Sequence, residues 1–299
     1  MCMESPLVSI ITNTLNRADL IHKCIESIQK QTYKNYEHII VDGNSSDNTE
    51  EVVKSYNDNR IKYVKLDTCG PQKQMRAGAD VASGKYITFL DDDDEYLSTK
   101  LQKQVELFEN EPDNVGVVYC WMSYYDVSNP NVEIRLHNPQ YKGYVGDISP
   151  IKPTICGTPT MMIRRELFEK VGGCFNDSIG YIGSDWELMA RVTQLCEVDY
   201  IPESLIKVYV NHGHARLSTD FYQEKAKKGV VFHTHFLTTF EDVFKKNPQS
   251  AYYHYYNLSR NYAVIRDRKN AWKYWKLYMN TTPNIKDAIK SFIGVLILK

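Results

Sequence analysis

The sequence predicts an α/β protein with a mainly parallel sheet flanked by helices and with a helical C-terminal extension. Strand-like and helix-like stretches alternate over the first 120 residues, which is typical of parallel sheets covered on both faces. From about residue 221 only helical periodicity is found. The chain has 299 residues, of which 42% are hydrophobic and 24% are charged. This length and composition indicate a globular protein with room for two domains and a large core.

Short apolar runs mark the strands of this sheet, and amphipathic patterns mark the helices between them. We predict buried strands at residues 7–11, 36–41, 61–66, 86–90 and 115–119. We predict helices at residues 18–31, 49–56, 72–82 and 100–109. Ligands of such sheets bind beyond the carboxyl ends of the strands, so the loops that follow the strands are expected to carry the chemistry.

The rest of the chain has a less regular middle and a helical end. Residues 120–220 contain loops rich in Pro, Gly and Tyr, and helices are expected near residues 165–171 and 185–195. Further helices are expected at residues 252–264, 269–279 and 284–298. We therefore predict two domains, which comprise residues 1–220 and 221–299.

The two predicted domains differ in charge. Residues 1–220 contain 22 Lys and Arg against 32 Asp and Glu, whereas residues 221–299 contain 14 against 5. Such an asymmetry indicates different partners. Basic and aromatic residues mingle in the C-terminal domain, as in some nucleic-acid binders. Their helical spacing favours a packed helix pair instead, so we expect no nucleic-acid partner. The last helix is expected either to contact an anionic membrane surface or to dock on the rest of the chain.

The cysteines and the start of the sequence indicate the compartment. The seven cysteines are odd in number and scattered, which is typical of reduced thiols. No basic region precedes an apolar run at the N-terminus, and the longest uncharged apolar run, residues 292–298, is too short to span a membrane. We expect a cytoplasmic protein that is at most peripheral at the inner face of the cell membrane.

Four consecutive aspartates follow the predicted strand at residues 86–90. Left uncompensated, Asp91, Asp92, Asp93 and Asp94 would repel one another, and a divalent cation would relieve this repulsion. In an extended chain Asp91 and Asp93 face one way and Asp92 faces the other, so one face could hold a cation and the other a ribose hydroxyl. Oxygen ligands suit Mg²⁺ or Mn²⁺. The alternative is a solvated acidic turn that caps the next helix.

Two other carboxylates stand at the ends of predicted elements. Asp42 follows the strand at residues 36–41, where it could accept the imide N–H of a uracil ring or belong to an ordinary strand-to-helix turn. Asp185 begins the helix at residues 185–195. There it could accept the proton of a reacting hydroxyl group, or it could simply cap the helix.

Several segments, in one order along the chain, resemble the family 2 glycosyltransferases of the GT-A fold. The matching segments are VSIITNTLNR at residues 8–17, QTYKNYEHIIVDGNSSD at 31–47, ASGKYITFLDDDD at 82–94, and residues 162–176, 183–191 and 209–212. An ordered set of motifs is more specific than any single motif. The resemblance implies an inverting, metal-dependent transferase that moves a sugar from a nucleotide sugar, expected to be a UDP-sugar, to a hydroxyl of a glycan or lipid-linked glycan. Such enzymes commonly act in bacterial surface polysaccharide synthesis.

The resemblance also implies roles for single residues. The residues implied around the donor nucleotide are Asn13, Thr14, Asp42, Arg76, Asp91 and Asp92. Asn13, Thr14 and Asp42 are expected at the uracil, and Asp92 is expected at the ribose. The residues implied at a Mn²⁺ or Mg²⁺ cofactor are Asp93, Asp91 and His212, with His214 as a competitor of His212. Asp185 is implied as the general base on the acceptor side.

Two other functions are open at this point. A nucleotidyltransferase on a similar sheet would also need acidic metal ligands, although the sequence lacks the basic, Gly-rich N-terminal loop that this chemistry favours. A non-catalytic docking protein would use the helical C-terminus, and the acidic run argues against it. The sequence has no GxGxxG or Walker motif, so the usual phosphate cradles of dinucleotide and P-loop enzymes are missing.

Overall fold

The computed structural model describes residues 6–173, 179, 183–214 and 222–283. The chain divides into two compact units. The first unit comprises Met1–Gly146, Thr154–Cys174 and Leu188–His214, and the second comprises Asp147–Pro153, Phe175–Glu187 and Ala215–Lys299. The predicted helix at residues 284–298 lies outside the described residues. The predicted domain boundary after residue 220 stays a prediction.

The first unit is built on one mixed sheet. In the described part of the chain its ten strands are β1 (Val8–Thr14), β2 (Tyr36–Asp42), β3 (Ile61–Lys65), β4 (Tyr86–Phe89), β5 (Glu95–Tyr96), β6 (Val115–Asp126), β7 (Asn129–His137), β8 (Gly143–Tyr144), β9 (Met161–Arg164) and β10 (Glu197–Val210). They lie in the order β3-β2-β1-β4-β9-β6-β10-β5, with β7 beside β6 and β8 beside β10. Strands β1 to β4 are parallel, whereas β9 runs antiparallel to β4 and β6. The predicted mainly parallel sheet is confirmed.

Helices follow the first strands of the sheet, as predicted. They are α1 (Ile21–Gln29), α2 (Thr49–Ser55), α3 (Pro71–Val81), α4 (Lys100–Asn110), α5 (Arg165–Lys170) and α6 (Ser184–Val192), which begins in the second unit. Helix α1 shows why these segments are helical, because Ile21, Cys24, Ile25 and Ile28 recur at helical spacing and are all buried. Pro71 begins α3 at a position where a helix makes no use of the missing N–H.

The prediction that residues 120–220 are less regular missed the strands of this region, whereas α5 and α6 confirm the two helices expected there. This region completes β6 and adds β7, β9 and the 14-residue β10. Strand β10 is hard to recognise in the sequence because Pro202 interrupts it and because its pairing with β6 shifts register on both sides of Ser204. Such irregularities break the alternation of apolar and polar residues that identifies a strand.

The second unit is helical, as predicted. Its C-terminal helices in the described residues are α7 (Tyr222–Thr239), α8 (Glu241–Lys246), α9 (Tyr252–Val264) and α10 (Arg268–Thr281). Aromatic rings pack between these helices. Tyr262 of α9 and Tyr274 of α10, for example, stack with their ring centres 5.6 Å apart. Across both units, the described residues form no helix that combines the length and the apolar character needed to cross a membrane.

Candidate functional site

The predicted site residues from the first part of the chain meet at one edge of the sheet. Strand β1 pairs with β2 so that Thr14 lies opposite Asp42, and it pairs with β4 so that Ile11 lies opposite Phe89. Because these strands are parallel, their carboxyl ends point to the same edge. Thr14, Asp42 and the aspartates at residues 91–94 therefore share the edge at which ligands of such sheets bind.

Three of the four aspartates form a carboxylate cluster after the end of β4. One oxygen each of Asp91, Asp93 and Asp94 lies within 4.8 Å of the other two. The buried Asp94 accepts the backbone N–H of Tyr209 in β10 at 3.1 Å, and its own N–H donates to the carbonyl of Asp91 at 3.2 Å. The chain turns here and is no longer extended. Asp94 therefore joins Asp91 and Asp93, although strand alternation predicted only those two on this side.

Arg17 faces the carboxylate cluster from the loop between β1 and α1. Its Nη1 donates to Asp93 Oδ2 at 3.2 Å and lies 3.7 Å from Asp92 Oδ1. The guanidinium group therefore offsets part of the negative charge. No role was predicted for Arg17 from the sequence, although a basic residue in a loop that follows a strand of this sheet was an available signal.

Asp92 is buried next to the cluster without being one of its three members. Burial raises the pKa of its carboxyl group to about 7, and the Arg17 guanidinium and the Thr14 hydroxyl oppose that rise. The orientation of Asp92 away from Asp91 and Asp93 stays a prediction. Its contact with a ribose stays a prediction.

His212 reaches the carboxylate cluster from the loop after β10. Its Nε2 lies 2.9 Å from Asp93 Oδ2, and its side chain is only 3% exposed. Its Nδ1 accepts the backbone N–H of His214 at 3.3 Å, so a neutral ring carries its proton on Nε2, the atom that faces Asp93. His214, the predicted competitor, places its Nε2 2.8 Å from Asp19 Oδ2 and lowers the pKa of that carboxyl group.

Asp42 is fully buried at the end of β2. Its Oδ1 accepts the backbone N–H of Ser45 at 2.7 Å, and its Oδ2 accepts the hydroxyl of Tyr63 in β3. Both carboxylate oxygens thus hold hydrogen bonds that shape the turn after β2. A contact of Asp42 with uracil stays a prediction.

Gln74 of α3 ties together the ends of β1 and β2. Its Nε2 donates to the carbonyls of Thr14 and Val41 at 2.9 and 3.0 Å. A Cβ atom on residue 43 would lie 2.9 Å from Gln74 Oε1, so glycine at this position leaves room for the Gln74 amide. Helix α3 therefore fixes the backbone from which Thr14 and Asp42 project.

Asn13 and Arg76 are the remaining residues predicted at the donor. Asn13 Nδ2 donates to the carbonyl of Pro71 at 3.1 Å, which links β1 to the start of α3. Its Oδ1 is a buried acceptor that has no hydrogen-bond partner among the described residues. A buried polar atom in this state calls for a partner, and a bound ligand can supply one. Arg76 lies on the exposed surface of α3.

Asp185 lies in the first turn of α6, within the second unit, and is only partly exposed. Its Oδ1 accepts the backbone N–H of Trp186 at 2.8 Å. Burial raises the pKa of its carboxyl group, and this N–H opposes the rise. A carboxylate with a raised pKa is a better proton acceptor than an exposed one. The role of Asp185 as general base stays a prediction.

Trp186, the residue that follows Asp185, packs in an aromatic cluster. The ring of Trp186 lies 4.7 Å from that of Phe236 in α7 and 5.6 Å from that of His254 in α9. Its indole N–H donates to the carbonyl of Ser149. The backbone at Asp185 is therefore supported by helices of its own unit.

Comparison with protein families decides the class of the protein. A family model described as glycosyl transferase family 2 matches residues 9–172, which is more than half of the chain. The chain belongs to glycosyl transferase family 2. This assignment as a glycosyltransferase excludes the two alternative functions, a nucleotidyltransferase and a non-catalytic docking protein. The matched range contains the carboxylate cluster and Asp42, and it ends before Asp185 and His212.

Relatives of this family 2 glycosyltransferase support the assignment. An uncharacterized glycosyltransferase of Rickettsia prowazekii (strain Madrid E), RP339, is 30% identical over 218 residues, covering 72% of this chain and 67% of the relative. A Campylobacter jejuni protein named GalNAc(5)-diNAcBac-PP-undecaprenol beta-1,3-glucosyltransferase is 47% identical over 100 residues, 32% of each chain. An Escherichia coli protein named UDP-Glc:alpha-D-GlcNAc-diphosphoundecaprenol beta-1,3-glucosyltransferase WfaP is 38% identical over 120 residues, 40% of this chain and 46% of the relative. The chain thus spans less than half the length of the two relatives with named substrates.

Solved structures share the architecture. S. aureus TarS 1-349 in complex with UDP-GlcNAc has a TM-score of 0.64 at 14% identity, covering 96% of this chain and 91% of that chain. The mannosyltransferase PcManGT from Pyrobaculum calidifontis, in complex with GDP-Man and Mn²⁺, has a TM-score of 0.60 at 16% identity, covering 99% and 82%. At such low identity the likeness shows the fold alone, and it confirms the predicted GT-A fold.

Proposed function

We propose that this glycosyltransferase is an inverting, metal-dependent enzyme that moves a sugar from a UDP-sugar to a hydroxyl group of a lipid-linked glycan. The names of the C. jejuni and E. coli relatives support this acceptor class, because both refer to undecaprenol-linked glycans. UDP-Glc in the WfaP name and UDP-GlcNAc in the TarS complex support the donor class. The proposal includes a role in bacterial surface polysaccharide synthesis and a peripheral position at the cell membrane.

The carboxylate cluster is the observation that carries this proposal. Oxygens of Asp91, Asp93 and Asp94 lie within 4.8 Å of one another, close to Arg17 and His212. Such a set of oxygens matches the ligand preference of Mn²⁺ and Mg²⁺. The three aspartates would hold the ion, with His212 Nε2 beside Asp93. Bound there, the ion would supply positive charge that stabilises the departing diphosphate.

The donor nucleotide is proposed to bind at the carboxyl ends of β1 and β2. We assign the imide N–H of uracil to Asn13 Oδ1, because this buried acceptor lacks a partner among the described residues. Asp42, whose two oxygens already accept hydrogen bonds, would shape the pocket next to the base, and Thr14 would line it. Asp92 would accept a ribose hydroxyl, and Arg76 would approach the donor from α3.

Asp185 is proposed as the general base. Its raised pKa favours acceptance of the proton, and the N–H of Trp186 orients its carboxylate. As the acceptor oxygen bonds to the anomeric carbon, its proton passes to Asp185. The bond to the diphosphate breaks on the opposite side of that carbon, and the diphosphate leaves with the electron pair. Attack from the side opposite the leaving group inverts the anomeric configuration.

A thermal-shift experiment tests the metal and nucleotide part of this proposal. With Mn²⁺ present, UDP is expected to raise the melting temperature, because a ligand at about 100 times its Kd stabilises the native state by about 2.7 kcal/mol. Asp93→Asn is expected to remove most of this shift, since it takes one charge from the cluster. Asp80→Asn changes an exposed aspartate of α3 in the same way and is expected to match the wild type.

Transfer is measured with UDP-sugars and an undecaprenyl diphosphate-linked acceptor. The wild type and Asp80→Asn should transfer sugar when Mn²⁺ is present, and Asp93→Asn should not. A wild-type protein with no UDP-dependent shift, or an Asp93→Asn protein that keeps the whole shift, would contradict the proposal.

A further inference from the structure

The outward side of α10 carries a row of exposed lysines, Lys269, Lys273 and Lys276, which we call the basic stripe. We propose that the basic stripe docks the protein on an anionic lipid bilayer. The inference rests on the proposed function, because an enzyme with a lipid-linked acceptor has to meet that acceptor at a bilayer surface.

The contacts of α10 show which way the basic stripe points. Ala271 and Tyr278 are buried, and the carbonyl of Ala271 accepts the hydroxyl of Ser259 in α9 at 3.0 Å. The ring of Tyr274 stacks on that of Tyr262 in α9. One side of α10 therefore packs on α9. With about 3.6 residues per turn, positions 269, 273 and 276 fall on the opposite side.

The basic stripe is mainly basic, although Lys269 interacts with the carboxylate of Asp267 just before α10 and lowers its pKa. Helix α10 has basic residues at positions 268, 269, 273 and 276 and no acidic residue. Within the described residues, none of the three stripe lysines takes part in an ion pair. The surrounding residues 221–299 contain 14 Lys and Arg against 5 Asp and Glu. This charge is complementary to that of anionic lipid headgroups.

An exposed tryptophan borders the basic stripe. Trp272 precedes Lys273 and is 39% exposed, and its ring meets that of Trp275 edge-on with the centres 5.4 Å apart. Indole rings are enriched where a protein meets the interface between membrane and water, because one part of the ring is apolar and the N–H is polar. Lysines beside an exposed indole are thus suited to a headgroup layer.

The adjoining sequence favours a bilayer over a nucleic acid, which basic and aromatic residues can also bind. Residues 284–299 follow the last described residue and read NIKDAIKSFIGVLILK. Aliphatic side chains and one Phe dominate this segment, and its charged residues are three Lys and one Asp. A bilayer offers an apolar phase to such a segment next to the anionic surface that attracts the lysines, whereas a nucleic acid offers only the charge.

Vesicle flotation of the full chain tests the proposal. The wild type is expected to float with vesicles that contain phosphatidylglycerol and to remain unbound with vesicles of phosphatidylcholine alone. Replacing the three stripe lysines in K269Q/K273Q/K276Q is expected to weaken partitioning roughly 100-fold. The matched control K30Q/K34Q/K170Q removes the same charge from exposed positions of the first unit and should float like the wild type. Equal melting temperatures for the two triple variants would exclude misfolding as the cause.

Three results would overturn the docking proposal. They are equal flotation of the two triple variants, equal binding of the wild type to neutral and anionic vesicles, and binding to single-stranded RNA without binding to vesicles. Transfer from a UDP-sugar to a water-soluble acceptor is measured in parallel and should be the same in the stripe variant and the wild type. Loss of flotation in the stripe variant would support docking even if no protein shows transfer. Flotation therefore tests the docking proposal, and the transfer assay tests the proposed function.

Discussion

The carboxylate cluster of the first unit and a buried histidine pair of the second unit hold titratable groups in opposite ways. In the cluster, charged groups face one another, with Arg17 Nη1 3.2 Å from Asp93 Oδ2. In the pair, the Nδ1 atoms of His233 and His254 lie 3.0 Å apart. Burial lowers the pKa of His233 to about 3 and that of His254 to about 4, so both rings are neutral at pH 7.

Hydrogen bonds and ring packing suit this neutral state of the histidine pair. His254 Nε2 donates to the carbonyl of Pro150 at 2.8 Å, so its Nδ1 is left as an acceptor for the Nδ1–H of His233. The ring of His254 also stacks on those of Trp186 and Phe236. A proton added to His254 Nδ1 would turn this hydrogen bond into a clash of two donors.

The carboxylate cluster is suited to binding a ligand, whereas the histidine pair is suited to packing. The three carboxylates of the cluster repel one another, and the Arg17 guanidinium beside Asp93 offsets part of this repulsion, so a bound cation would stabilise them further. The histidine pair is already satisfied by its neighbours. Asp185 precedes Trp186 and so adjoins the packed region, where burial raises the pKa of its carboxyl group. The proposed cation site and the proposed general base therefore lie in different surroundings.

The largest expected effect comes from Asp185→Asn. An amide has nearly the same shape as the carboxylate but cannot accept the proton, and general bases typically contribute about 10²–10⁴ in rate. We expect kcat to fall by that factor, while the Mn²⁺-dependent thermal shift with UDP stays at the wild-type value. Steady-state kinetics with a UDP-sugar and the lipid-linked acceptor measure the first quantity.

Asp147→Asn is a matched control for Asp185→Asn, because Asp147 is an exposed carboxylate of the same unit. It should leave kcat unchanged. Transfer by Asp185→Asn at the wild-type rate would exclude Asp185 as the general base. Loss of UDP binding in that variant would show that the substitution also disturbs nucleotide binding.

The histidine pair predicts a loss of stability in acid. The folded-state pKa values of His233 and His254 lie below the ordinary value near 6.5, so the unfolded chain binds more protons than the folded one as the pH falls below 6.5. The free energy of unfolding should then decrease by up to about 1.4 kcal/mol per pH unit for each histidine, until the pH approaches 4.

His233→Phe should remove one of these two contributions and flatten the pH dependence. Denaturant unfolding of the wild type and the variant between pH 7.5 and 4.5 measures the slope. Because both histidines are neutral above pH 6.5, the difference between the two proteins should be constant there and should shrink as the pH falls. Parallel curves over the whole range would mean that the pair is not held neutral by burial.

The sequence was sufficient for features that depend on local periodicity and strand ends. Helix α1 and strands β1 to β4 follow from the spacing of apolar residues, and Asp91 and Asp93 follow from their place after a strand. Two contacts of the cluster could not be predicted from the sequence, because they depend on a turn of the chain and on a loop that is distant in sequence. Asp94 joins the cluster through a turn, and Arg17 approaches it from a loop that lies 76 residues away in sequence.

Other contacts between residues far apart in the sequence were also not predictable from local patterns. The predicted neighbourhood of His212 and the cluster came from family resemblance, since Pro202 and the register shifts of β10 hide the strand that leads to His212. The mutual contact of His233 and His254 depends on how α7 packs against α9. Apolar spacing identifies which residues are buried, and it does not identify which buried polar atoms meet.

The smallest effect is expected from Asp94→Asn, which tests whether the third carboxylate belongs to the charged region. Asn can still accept the N–H of Tyr209 through its Oδ1, so the turn after β4 should be retained. The cluster would lose one negative charge, and the affinity for Mn²⁺ in the presence of UDP should fall roughly tenfold, because a neutral amide oxygen replaces one of the three proposed carboxylate ligands.

Titration of Mn²⁺ by calorimetry measures this affinity, and His233→Phe provides the comparison from the packed region, where no change is expected. If Asp94→Asn binds Mn²⁺ like the wild type, Asp94 serves the turn alone and the binding region shrinks to Asp91 and Asp93. If both variants weaken Mn²⁺ equally, the effect is one of general destabilisation. Only a loss confined to Asp94→Asn supports a role for the carboxylate itself, because His233→Phe leaves the charge of the cluster unchanged.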